Sequence, residues 1–146
     1  MFSREMLTGI LLSKAQFHCR IQSDERMRIG YAVKLAIDIR MPSYDFLCGI
    51  ARAMTTYGVE SKVRRNESVR RKRPILSVRG IENIQSVLNI IVSETPFAWN
   101  SLNHNDSLKP FIQIASIVDT KQHRTLEGLE KILNLKGVLN GTDESK

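Results

Sequence analysis

Between residues 4 and 40 the spacing of apolar side chains changes once, and the change leaves no room for a loop. Met6, Leu7, Ile10 and Leu11 follow the i, i+3, i+4 rule, with Ser3 placed to cap, so a helix is predicted near residues 4–14. From Gln16 the period is two: Phe17, Cys19 and Ile21 alternate with Gln16, His18, Arg20 and Gln22, as in a strand with one wet face. Ser23, Asp24 and Glu25 supply turn chemistry. Alternation then resumes through Ile29, Tyr31, Val33, Leu35, Ile37 and Ile39 against Arg28, Lys34, Asp38 and Arg40, which predicts a long hairpin. Gly30, Ala32 and Ala36 on the outer face leave room for a partner to approach. On periodicity alone, the helix docks on its own sheet and needs no second helix.

The pattern then repeats. Pro42 and Ser43 stop the strand and open a helix with Leu47, Ile50, Ala51 and Met54 on one side, ending at Gly58. Val59, Ser61 and Val63 predict a third strand that pairs with Pro74 to Val78 across a polar connection. Gly80 opens a third helix carrying the stripe Ile81, Ile84, Val87, Leu88 and Ile91. Thr95 to Asn105, with Pro96, Phe97 and Trp99, reads as a connection, followed by a helix capped by Asp106 or Ser107 and running through Leu108, Phe111, Ile112, Ala115 and Val118. Thr125 caps the last helix, with Leu126, Leu129, Ile132, Leu133 and Val138 expected inward. A chain of 146 residues is the usual size of one domain. We expect a single α+β domain over residues 1–140 and a flexible tail over 141–146.

Charge is unevenly spread. The formal net charge is +7, yet residues 1–80 hold 16 Lys and Arg against 7 acids while residues 81–146 hold 6 against 8. Between 62 and 79 stand Lys62, Arg64, Arg65, Arg70, Arg71, Lys72, Arg73 and Arg79 against one acid, Glu67. Such density suggests a polyanion, and it continues His18, Arg20 and Lys34 on one sheet face. Arginine bias suits phosphate oxygens and base edges. Few aromatic residues project on that face, which favours helical nucleic acid over single strands held by stacking. Cys19 and Cys48 form no Cys-x-x-Cys pair, and His18, His104 and His123 have no metal-ligand spacing. No apolar run reaches the length needed to span a bilayer, and a secretory signal's apolar core is lacking, so no membrane or secreted role is expected.

The stretch Leu7-Thr-Gly-Ile-Leu-Leu-Ser-Lys-Ala-Gln-Phe17 resembles the signature helix and following strand of the LAGLIDADG homing endonucleases. The order helix, two strands, helix, two strands, then helices is similar to one domain of that family. Leu108-Lys-Pro-Phe-Ile and His123-Arg-Thr-Leu-Glu-Gly-Leu-Glu-Lys-Ile-Leu-Asn-Leu-Lys look like its closing helices. The resemblance implies an αββαββα domain with a four-stranded antiparallel saddle, helices on one face and nucleic acid along the other. It also implies pairing through the signature helix, with Leu7, Thr8, Gly9 and Ile10 at the interface of a homodimer.

In active members, acidic residues near the end of the signature helix bind divalent metal. Leu12 and Lys14 stand at the matching positions, and Met41 and Ala115 approximately match two further polar positions of the family site. The expectation is therefore a protein that is not an enzyme, with no catalytic residue, metal or cofactor. Its expected nucleic-acid contacts are Gln16, His18, Arg20, Gln22, Arg28, Lys34, Arg40, Lys62, Arg64, Arg65, Arg70, Arg71, Lys72, Arg73 and Arg79. The resemblance further suggests an RNA partner rather than DNA, in an organellar assembly such as a mitochondrial ribosome or an intron-splicing complex. Duplex DNA binding, by a decayed endonuclease or a transcriptional regulator, is the alternative, with an active site-specific endonuclease ranked below it.

Overall fold

The computed structural model describes residues 3–27, 29–94 and 108–140. Its elements follow the expected order: α1 (Arg4–Lys14), β1 (Ala15–Ser23), β2 (Tyr31–Arg40), α2 (Tyr44–Thr56), β3 (Lys62–Arg64), β4 (Ile75–Arg79), α3 (Ile81–Glu94), α4 (Leu108–Asp119), a 3₁₀ turn (Gln122–Arg124) and α5 (Leu126–Asn140). Ser3 caps α1 by accepting from the Met6 N–H at 3.2 Å, and Ser43 caps α2 by accepting from Phe46 N–H at 3.1 Å. Lys14 ends α1, and the next residue, Ala15, already pairs with Ile39 of β2. The helix-to-strand change thus takes place across one peptide bond.

The four strands form one antiparallel sheet in the order β1-β2-β4-β3. Helices pack on one of its faces: α1 on β1 and β2, α2 on β3 and β4, α3 on β2 and β4, and α4 on β1. Inward strand residues Phe17, Leu35, Ile37, Ile39, Leu76 and Val78 meet Leu7, Leu11, Ile50, Met54, Ile84, Val87, Ile91 and Phe111 in a continuous core. Phe17 and Phe111 stack at 5.1 Å between ring centroids, which ties β1 to α4. The α+β arrangement with helices on one face is as the alternation requires, because a strand with period two has only one face to bury.

Several boundaries differ from the sequence reading. β2 starts at Tyr31, not Ile29, because Gly30 takes φ +83° and its carbonyl accepts from Asp24 N–H at 2.8 Å, closing the turn. Arg28 lies outside the described residues. Tyr31, expected on the dry face, is 46% exposed because it stands at the end of the ladder opposite Ser23. Ala32, expected on the open face, is buried.

β3 covers only Lys62–Arg64. Val59 turns inward instead, its N–H bonding Met54 O at 2.9 Å after Gly58 at φ +85°, so it enters the core rather than the sheet. β4 begins at Ile75, one residue after Pro74. Among the described leucines and isoleucines of α5, Leu129 and Ile132 are buried, whereas Leu126 and Leu133 are 73% and 52% exposed. α5 rests mainly on α4 and the 3₁₀ turn, which leaves the Leu126 and Leu133 side of its stripe uncovered among the described residues. Thr125 caps it as expected, accepting from Gly128 N–H at 3.0 Å. The connection with Pro96, Phe97, Trp99, Asp106 and Ser107, the Val138 side chain and the tail 141–146 lie outside the described residues.

Candidate nucleic-acid interface

The register of the ladders fixes which side chains share the sheet's open face. Gln16, Asp38, Ser77 and Lys62 form one row across β1, β2, β4 and β3. His18, Ala36 and Arg79 form the next, and Arg20 and Lys34 a third. On the far side of the first row, Arg40, Ile75 and Arg64 line up. Alternation therefore places Gln16, His18, Arg20, Gln22, Lys34, Arg40, Lys62, Arg64 and Arg79 together, away from the helices.

At the centre of this face lies a buried acid. Asp38 Oδ1 accepts from Ser77 Oγ at 2.8 Å and from Arg79 Nη1 at 3.0 Å, while His18 Nε2 stands 3.4 Å from Oδ2 and Arg40 Nη2 4.0 Å from it. Four partners satisfy the carboxylate, so its burial is tolerated. Burial lowers the His18 pKa below the ordinary imidazole value; Asp38 pulls it upward, and Arg40, Arg79 and Arg20 reinforce the lowering. Ala36 floors a groove of about 580 Å³ whose walls include His18, Arg20, Lys34 and Arg79.

Arg20, Lys34, Lys62 and Arg64 form no ion pair among the described residues, and Arg20 and Lys34 are directly opposite each other on β1 and β2. Like charges facing across a ladder destabilise it, so this row stores repulsion in the free protein.

The β3–β4 connection, residues 65–74, folds back over the other end of the face. Its backbone is closed by Glu67 N–H to Arg73 O at 2.9 Å and Ser68 N–H to Arg71 O at 3.1 Å. Glu67 then gathers three arginines: Arg40 Nε at 2.7 Å, Arg73 Nε at 3.1 Å and Arg71 Nη1 at 3.6 Å. The hydrogen bond from Arg40, aided by Arg73, holds the Glu67 carboxyl down to about 2, against opposing desolvation. Arg40 also donates through Nη1 to Gln16 Oε1. Ile75, although on the open side by register, is buried at this end.

These contacts sort the expected nucleic-acid residues. Arg40, Gln16, Arg71 and Arg73 are engaged within the protein, and Arg65 places its guanidinium 4.0 Å over the Tyr44 ring at the start of α2. Arg70 and Lys72 remain exposed beside Val69, which is 90% exposed. Asp38, Ser77 and Glu67, which organise the face, were not picked out by the sequence reading. Only the pairing register, which depends on turn lengths, reveals that Asp38 faces Ser77.

In α1 the expected partner-facing set divides. Leu7 and Thr8 are buried within the chain, Thr8 Oγ1 donating to Arg4 O at 2.9 Å, whereas Gly9 is exposed and Ile10 half-buried. The outward side of the helix carries Met6, Gly9 and Ser13. Leu7 and Thr8 therefore face the core rather than a partner, because the helix must bury one side on its own sheet. Leu12 is a core residue, and Lys14 is exposed at the last turn, where a cation suits the helix dipole. Among the described residues no three His, Cys, Asp or Glu side chains gather as a metal site, and Asp38 is already occupied by cations. The donors at this helix end do not fit a divalent ion.

By sequence the chain matches no protein-family model and no curated protein. Its structure, in contrast, is similar to solved homing endonucleases. With I-TnaI the TM-score is 0.77 at 20% identity, covering 96% of this chain and 89% of that one. With the archaeal intron-encoded I-Vdi141I complexed with DNA it is 0.77 at 15% identity, covering 98% and 84%. I-SmaMI bound to uncleaved DNA gives 0.76 at 16% identity, and there this chain spans 45% of its length. These proteins correct the expectation, drawn from Leu12 and Lys14, of a chain that is not an enzyme: the solved proteins that share its architecture are endonucleases, and those two positions do not establish inactivity. The chain has the fold of the LAGLIDADG homing endonucleases.

Proposed function

We propose that this chain binds double-helical nucleic acid along the open face of its sheet. The observation that carries the reading is the Arg20–Lys34 row: two like charges held opposite each other, neither in an ion pair among the described residues, beside His18 and Arg79 in an open groove. A phosphate backbone relieves that repulsion and releases its own counterions. No Phe, Tyr or Trp occupies the rows of this face, so stacking of unpaired bases contributes little there. Solved proteins of this fold bound to DNA make duplex DNA the first ligand.

Recognition then divides between two regions. The groove row positions one stretch of backbone, and Arg70 and Lys72 on the β3–β4 connection reach a second. A structured RNA bound in a ribosome or intron complex would present the same phosphates at A-form spacing. The exposed side of α1, with Gly9, offers close approach to a second copy.

The test is a titration of labelled duplex DNA, duplex RNA and single-stranded DNA against the protein and against an Arg70→Ala, Lys72→Ala variant. We expect both duplexes to bind more tightly than the single strand, and the variant to weaken duplex binding with a salt slope lower by about 0.9 per lost phosphate contact. Preference for RNA over DNA identifies the ribonucleoprotein role. Equal, weak binding of all three ligands sinks the proposal.

A further inference from the structure

The β3–β4 connection carries five of the chain's basic residues, Arg65, Arg70, Arg71, Lys72 and Arg73, and a single acid. That acid is not at the solvent edge. Glu67 has only 14% of its side chain exposed and touches Arg40, Arg71 and Arg73, which come from both the sheet and the connection. Arg40 meets it with two nitrogens, Nε at 2.7 Å and Nη2 at 3.2 Å, the forked geometry by which arginine takes a carboxylate or a phosphate. Glu67 thus occupies the place a phosphate oxygen pair would take.

We infer that Glu67 is a specificity-determining residue of this surface, an internal counterion that withholds Arg40, Arg71 and Arg73 from any polyanion and leaves Arg20, Lys34, Lys62, Arg64, Arg70 and Lys72 to make the contacts. The inference rests on the nucleic-acid reading above and deepens it. A purely electrostatic partner gains from every free cation it can reach, whatever the shape of the surface. With three arginines held against one carboxylate, which cancels one unit of their charge and fixes their positions, such a partner loses more than a rigid duplex does. The duplex lies on the sheet and touches the groove row regardless of Glu67. The carboxylate also fixes the connection, because Arg40 anchors it to β2 and Arg73 ties it to its own stem. Discrimination here comes from an element that opposes the wrong partner rather than one that attracts the right one.

The experiment compares the native protein with Glu67→Gln, using labelled random-sequence duplex DNA and heparin, a flexible polyanion without helical shape, between about 50 and 200 mM salt. Glu67→Gln should bind both ligands several-fold more tightly, steepen the salt slope by about one to two, and reduce the ratio of duplex to heparin affinity. An unchanged slope, an unchanged ratio or weaker binding overturns the inference. Thermal melting verifies that the variant is folded. Arg71→Ala, whose side chain is 66% exposed and touches Glu67 from the rim, gives a second reading that does not depend on that fold. It should leave the native salt slope unaltered, and a slope lower by about 0.9 would show that Arg71 is a free phosphate contact and overturn the inference. If the native protein binds no duplex at all, the functional proposal fails. If it binds duplex and Glu67→Gln behaves identically, only the role of Glu67 fails.

Discussion

Replacing Arg20 by Gln should move stability and binding in opposite directions. Arg20 and Lys34 are register partners on the open face. For two unit charges about 7 Å apart in water, repulsion is of order 0.6 kcal/mol before screening. Gln keeps the length and polarity of the strand position while removing the charge. The free protein should therefore gain a few tenths of a kcal/mol, or about 1 °C in Tm. Binding should lose one charge-assisted phosphate contact, about 1.5 kcal/mol, which is roughly a tenfold weaker Kd at low salt. The salt slope should fall by about 0.9 at the same time. Differential scanning fluorimetry and fluorescence anisotropy across a salt series read the two effects on one sample. Both should shrink as salt rises, since both are Coulombic. A drop in Tm would show that Arg20 supports the sheet. Unaltered duplex affinity would show that this row does not meet phosphate. Either result refutes the argument.

Three further expectations concern the scaffold. Phe111→Ala should cost about 3–5 kcal/mol in urea unfolding, because the ring is fully buried and stacks on Phe17 at 5.1 Å; a loss below 1 kcal/mol would mean that α4 is not part of the core. Gly128→Ala should destabilise by about 1–3 kcal/mol, since a Cβ there would stand 1.8 Å from the Gln122 carbonyl oxygen, and a native melting curve would contradict that packing. His123 is buried, its Nδ1 has no hydrogen-bond partner among the described residues, and burial, reinforced by Arg124, lowers its pKa below 6.5. With the folded value depressed, its contribution is fully present above about pH 6.5 and is lost as pH falls through the folded value. Tm should decline with acidification over that window, less so in His123→Gln, and equal slopes in the two proteins would dismiss the assignment.

Legibility differed between the scaffold and the site. The single change of period near residue 15 and the alternation on either side of Ser23-Asp24-Glu25 were enough to specify a helix, a hairpin and which face was dry. Period is a local property, set by how each side chain must point. The alternation also placed His18, Arg20, Lys34 and Arg79 on one face before any coordinates. It failed where neighbours were few, at Tyr31 in the last pair of the ladder and at Leu126 and Leu133 on a helix packed mainly on α4 and the 3₁₀ turn. Apolar spacing states what can be buried, not what is present to bury it.

Pairings across long sequence separations were decided by the tertiary structure alone. Asp38 meets Arg79 and Ser77, Arg40 meets Glu67, and Arg65 meets Tyr44 because strand order and turn length bring them together. In the sequence the charged residues among these are simply part of a basic total, which predicts a polyanion partner. In the fold, Asp38 and Glu67 neutralise part of the charge on the sheet's open face and leave the other cations of that face exposed. The linear chain determines composition and local period, because both are carried by adjacent residues. Which cations remain available to a ligand depends on distances of a few ångströms between remote segments, and those exist only once the sheet has closed.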